Sequence, residues 1–95
     1  MTIRVVLVDD DALVRAGLGA ILGAAPDIEV VGEAADGGEG MDVVTTLRPD
    51  VVLMDIRMPG MDGLEATRNI TSRPDAPHVL VLTSFQADEY VFGAL

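Results

Sequence analysis

The sequence has no cysteine and no lysine among its 95 residues. Without cysteine neither a disulfide framework nor a thiolate metal site can form, and that composition suits a reducing cytoplasm, where the chain is expected to reside. Without lysine, the six basic residues are all arginine, at positions 4, 15, 48, 57, 68 and 73. No apolar run approaches the 18 or so residues that a membrane span requires, and the N-terminus lacks the pattern of a signal peptide. Internal repeats, low-complexity segments and linkers are also missing. Positive charge is scarce: the formal net charge is −10 and the pI near 4.1. Binding of nucleic acid by this chain alone is therefore not expected, because phosphate contacts depend on Lys and Arg. Apolar material, by contrast, is plentiful. At 49% hydrophobic residues and a mean hydropathy of +0.40, the chain should fold as one compact domain over residues 1–95.

The hydrophobic pattern alternates between two periods. Ile3 to Val8 reads as a buried strand closing on Asp9-Asp10-Asp11, and Val14, Leu18, Ile21 and Ala25 then fall at helical spacing until Pro26. Residues 28–34 partly alternate apolar and acidic, as a half-exposed edge strand does. Asp36 followed by Glu39 resembles a capping box that opens a helix through Met41, Val44 and Leu47. Asp62 with Glu65 can cap a further helix carrying Leu64, Ala66 and Ile70 inward. Val79 to Leu82 reads as another buried strand, opened by a surface His78 and ending at Thr83, and a last helix starts near Gln86. The order β-α-β-α-β-α-β-α predicts an α/β fold with a parallel sheet, right-handed crossovers and helices on both faces.

The stretch around which this pattern is organised is Val51-Val-Leu-Met-Asp55, an unbroken apolar run ending on a carboxylate and followed by the Pro59-Gly60 turn. A run of this kind is a strand buried on both faces, and its last residue emerges at the carboxyl edge of the sheet, where ligands bind in open α/β folds. If the first strand lies beside it, about 4.8 Å away, one row presents Asp9, Asp10, Asp55 and Thr83. Two carboxylates about 4 Å apart repel by on the order of 4 kcal/mol at an effective dielectric near 20. Such a group holds either a proton or a cation. Oxygen ligands with no Cys or nearby His favour Mg²⁺, which would also orient a phosphoryl group against a carboxylate nucleophile. Asp11 reads instead as a helix cap.

Val6-Leu-Val-Asp-Asp10, Asp50-Val-Val-Leu-Met-Asp55-Ile-Arg-Met-Pro-Gly-Met-Asp-Gly63 and Val79-Leu-Val-Leu-Thr83-Ser together resemble the receiver domain of bacterial two-component response regulators. Val14-Arg-Ala-Gly-Leu18, Glu29-Val-Val-Gly-Glu-Ala34 and Tyr90-Val-Phe-Gly-Ala-Leu95 look most like the subfamily with a LuxR-type helix-turn-helix output domain. The resemblance implies a flavodoxin-like (CheY-like) doubly wound sheet, with strands in the order 2-1-3-4 and a fifth strand and fifth helix missing. It implies Asp55 as the phosphoacceptor for a sensor histidine kinase. Mg²⁺ would be held by Asp9, Asp10, Asp55 and the backbone carbonyl of Arg57. Thr83 would be the switch hydroxyl and Tyr90 part of the partner face. Met58 and Met61, flanking the turn, could meet the kinase. DNA would be reached only through a separate C-terminal domain.

Receivers carry a lysine at the end of a fifth strand and run to about 120 residues. This chain has no lysine and stops within its fourth predicted helix, so it is expected to be a C-terminally incomplete receiver. Phosphotransfer should then be weak or absent while Mg²⁺ binding through Asp9, Asp10 and Asp55 persists. The strand at 79–82, or the last helix, would invite self-association. Two alternatives stand beside this reading. One is an interaction module that never takes phosphate; the other is a haloacid-dehalogenase-like phosphatase acting through Asp9, although that class relies on a lysine and a larger chain.

Overall fold

The β-branched runs and the polar breaks between them produce alternating strands and helices. The computed structural model describes residues 1–55 and 63–82. Within them lie β1 (Ile3–Val8), α1 (Ala12–Gly23), β2 (Ile28–Ala34), α2 (Gly37–Leu47), β3 (Val51–Asp55), α3 (Gly63–Thr71) and β4 (His78–Leu82). The four strands are all parallel and lie in the order β2-β1-β3-β4, as expected, with the half-exposed strand at one edge. The predicted Asp62 cap and the last helix lie outside the described residues.

This order sorts the helices. The chain steps one way from β1 to β2 and the other way for both later crossovers, so right-handed connections put α1 on one face and α2 and α3 on the other. The α2/α3 face holds the core: Val6 and Val8 of β1 and Val52 and Met54 of β3 pack with Val44, Ala66 and Ile70. Gly40 lets α2 lie directly on β1. A Cβ there would stand 3.0 Å from both methyls of Val8, and one at Gly32 would stand 2.7 Å from Leu47 Cδ1. A register shift between Val5 and Val6 makes Val31 an extra residue opposite β1, pairing Val5 with Val30 and Val6 with Gly32.

On the other face the expected stripe of α1 is met only in part, with Leu18 and Ala25 half-buried. Val14 and Ile21 are exposed, and the half-buried stripe is Arg15, Leu18, Gly19 and Leu22. Apolar residues surround much of this helix, so periodicity alone does not select the packed side. Leu64 likewise is exposed, while Ala66 and Ile70 point inward.

Local capping follows the sequence. Asp11 caps α1, accepting hydrogen bonds from the Leu13 and Val14 N–H groups at 2.9 and 3.3 Å. Asp36 caps α2, accepting from Glu39 N–H at 2.7 Å. Each satisfies amides that a helix start leaves without intrahelical partners. Arg48 ends α2 in the left-handed region at φ 48°, and Pro49 prevents continuation.

Candidate functional site

The register of the two central strands determines what meets at the sheet edge. Val8 pairs with Met54, so the next residues, Asp9 and Asp55, leave the sheet side by side. Asp9 is 7% exposed and Asp55 4%, the two buried charged residues among those described. Asp10 is exposed next to them. Carboxylate oxygens of Asp9, Asp10 and Asp55 all lie within 4.8 Å of one another. The structure thus brings together the three acids expected to share a site, drawn from positions some 45 residues apart in the chain.

Asp9 is held from several sides. Its N–H donates to the Ala34 carbonyl of β2 at 3.0 Å, and its Oδ1 accepts from Asp11 N–H at 2.8 Å. Its own carbonyl accepts a hydrogen bond from Arg15 Nη1, while Arg15 Nε donates to Glu33 Oε1 at 3.1 Å in an ion pair. Burial raises the Asp9 carboxyl above its ordinary value of 3.8; the Asp11 N–H bond opposes this, and the charges of Asp55, Asp10 and Asp11 add to it. Three carboxylates gathered at a partly dry edge form a hard, strongly negative donor set, the kind that suits an oxygen-seeking dication such as Mg²⁺. The residues present therefore fit that ion.

Arg57, Thr83 and Tyr90, the other expected contributors, lie outside the described residues, as do Met58 and Met61. His78 is exposed at the start of β4, donating its N–H to the Asp50 carbonyl. Sequence reasoning missed any role for Arg15 and Glu33 at this site. The available signal was an arginine on the side of α1 that also carries Leu18 and Leu22, but its target is a backbone carbonyl, which leaves no mark in sequence.

A parallel sheet with an acid cluster beyond its carboxyl edge, one acid ending a central strand, has its candidate site where open α/β folds bind ligands. Residues 5–95 match the response regulator receiver domain family, and the chain belongs to that family. It is 54% identical over 93 residues to the transcriptional regulatory protein LiaR of Bacillus subtilis, which covers 98% of this chain and 44% of LiaR. Among solved structures it resembles a LuxR-family two-component response regulator from Aurantimonas sp. SI85-9A1, with a TM-score of 0.84 and 38% identity over 99% of this chain and 67% of that one. It also resembles the Borrelia burgdorferi CheX-CheY-BeF3-Mg complex, with a TM-score of 0.81 and 26% identity over 95% of this chain and 68% of that one. The chain spans less than half the length of LiaR. No helix among the described residues is long and apolar enough to cross a membrane.

Proposed function

We propose that Asp55 accepts a phosphoryl group from the phosphohistidine of a sensor histidine kinase, and that this changes how the domain pairs with its partner surfaces. In the whole protein those surfaces would include a DNA-binding output region. The observation that carries this reading is the approach of three carboxylates to within 4.8 Å at the end of β3, in a chain of the receiver family.

Asp9 and Asp10 would hold Mg²⁺ together with Asp55, and the Arg57 carbonyl is assigned as a further ligand by family likeness. Bound there, the ion would supply positive charge to offset that of the phosphoryl oxygens, while Asp9, Asp10 and Asp55 would hold it. An Asp55 carboxylate oxygen forms the new O–P bond, the P–N bond to the kinase histidine breaks, and its electron pair returns to the imidazole nitrogen. Burial of Asp55 excludes water from one side of the reacting carboxylate. The product adds roughly −1.5 to −2 charges at the sheet edge. Thr83 is assigned the hydroxyl that follows those oxygens, and Tyr90 a place on the responding face. The protein is on this reading a phosphoacceptor that assists its own modification, working in the cytoplasm.

The test is to incubate the full-length protein with acetyl phosphate and Mg²⁺ and map the modification by mass spectrometry. One phosphoryl group on Asp55, lost in Asp55→Asn, is expected. Phosphate on Asp9 would favour the phosphatase reading, and no phosphate on any aspartate would favour a phosphate-independent interaction module.

A further inference from the structure

Arg15 stands on the packed stripe of α1 and uses two nitrogens on two different elements. Nη1 donates to the Asp9 carbonyl just past β1, and Nε pairs with Glu33 near the end of β2. The bond to the Asp9 carbonyl is partly buried and the pair with Glu33 is exposed, so the Asp9 end of this clamp is the better shielded one. The Asp9 carbonyl belongs to the peptide plane joining Asp9 to Asp10. Fixing that plane places the N and Cα of Asp10 and so narrows the directions in which its side chain can leave the backbone. The Asp9 carboxyl is already tethered through Asp11 N–H, and its amide through Ala34. Neither tether touches the Asp9 carbonyl itself, which is held by Arg15 Nη1.

We infer that Arg15 is a positioning residue: by clamping the Asp9–Asp10 peptide to β2 through Glu33, it holds the two acids in the arrangement that binds a divalent cation. This rests on the proposed function only in requiring that Asp9, Asp10 and Asp55 bind Mg²⁺. Partners that orient metal ligands are commonly worth 10–100-fold in metal affinity.

Charge and position predict opposite outcomes, which makes the clamp testable. Replacing Arg15 by a neutral residue removes a positive charge near an acidic site, and Coulomb's law alone would then tighten cation binding. Loss of the clamp would weaken it. The experiment is a calorimetric Mg²⁺ titration of the unphosphorylated protein, alongside its metal-free melting temperature, for wild type, Arg15→Met, Arg15→Lys, Glu33→Gln and the charge-neutral pair Arg15→Met/Glu33→Met. About a 10-fold or greater weakening is expected in Arg15→Met and in the double variant. Glu33→Gln keeps an acceptor for Nε and should stay within about threefold of wild type, and Arg15→Lys should recover part of the affinity through a single donor. Equal or tighter Mg²⁺ binding in Arg15→Met, with only the melting temperature lowered, would overturn the inference by showing a purely structural role. Should Arg15→Met not fold, an Arg15→Lys affinity no weaker than wild type would overturn it in the same way. Wild-type protein that binds no Mg²⁺ would overturn the proposed metal site along with it, whereas wild-type binding with unchanged variants removes the clamp alone.

Discussion

The two faces of the sheet are built from similar residues and have different fates. On the α2/α3 face, valines 6, 8 and 52, Met54, Ala66 and Ile70 are sealed together. On the α1 face, Leu7 is fully buried, but the helix above it has no buried residue, and Leu13 and Ile21 are 81% and 70% exposed. Glycine content differs in meaning as well. Gly40 of α2 touches Val8, while Gly17, Gly19 and Gly23 of α1 have nothing within 4 Å of an added Cβ. Tight packing on one side lets the sheet hold its edge acids in register. The looser side carries the arginine that reaches the Asp9 carbonyl.

The sharpest way to break this contrast is a matched pair of truncations. Ile70→Ala, at a site with 0% exposure, should cost about 2–5 kcal/mol. A domain of this size loses about 4–8 °C of melting temperature per kcal/mol. Ile21→Ala should change stability by less than about 0.5 kcal/mol. Comparable losses measured by denaturant titration would show both faces to be equally sealed. Next in size, Gly40→Val should cost about 1–3 kcal/mol by forcing side-chain atoms into Val8, and an unchanged unfolding midpoint would show that α2 can lift from the sheet.

A smaller effect concerns the edge itself. Because the Asp9 carboxyl is raised above 3.8, folding favours its protonated form. Below that value it is protonated whether folded or not, and no cost arises. As pH rises from there through the folded value the cost of ionising Asp9 accumulates. Asp9→Asn should therefore raise the metal-free melting temperature at pH 7, with the gain shrinking toward pH 4. Scanning calorimetry at the two pH values checks this, and an equal gain at both would locate the effect elsewhere. Smallest of all, Gly17→Ala should stabilise by up to about 1 kcal/mol, since nothing lies near the added methyl; a loss of stability would mean that this side of α1 is covered.

Much of this architecture is legible in the sequence alone. The cores of β1 and β3, the Asp11 and Asp36 caps and the half-exposed β2 follow from local pattern and hydrogen-bonding chemistry, whereas β4, expected to be buried, leaves Leu80 and Val81 56% and 43% exposed at the sheet edge. Asp9, Asp10 and Asp55 stood out as acids at the ends of apolar runs, and the motifs around them resemble the receiver family to which the chain belongs. The orientation of α1 was not legible, because Leu13, Val14, Leu18, Ile21 and Leu22 spread over too wide an arc for a period of 3.6 to single out one side. Nor was the extra residue Val31, since a bulge depends on the pairing partner and not on the strand that carries it.

Where the acids sit along the chain, and that each closes or follows a strand, is a matter of local composition and needs no neighbour. That Asp9 and Asp55 converge depends on one register, Val8 against Met54, and a slip of one residue would have turned alternate side chains to the opposite face. The Arg15 clamp belongs to the same category. Its donors reach a carbonyl 6 residues away and a carboxylate 18 residues away, and only the folding of β1, α1 and β2 against one another brings those two acceptors within reach of one guanidinium.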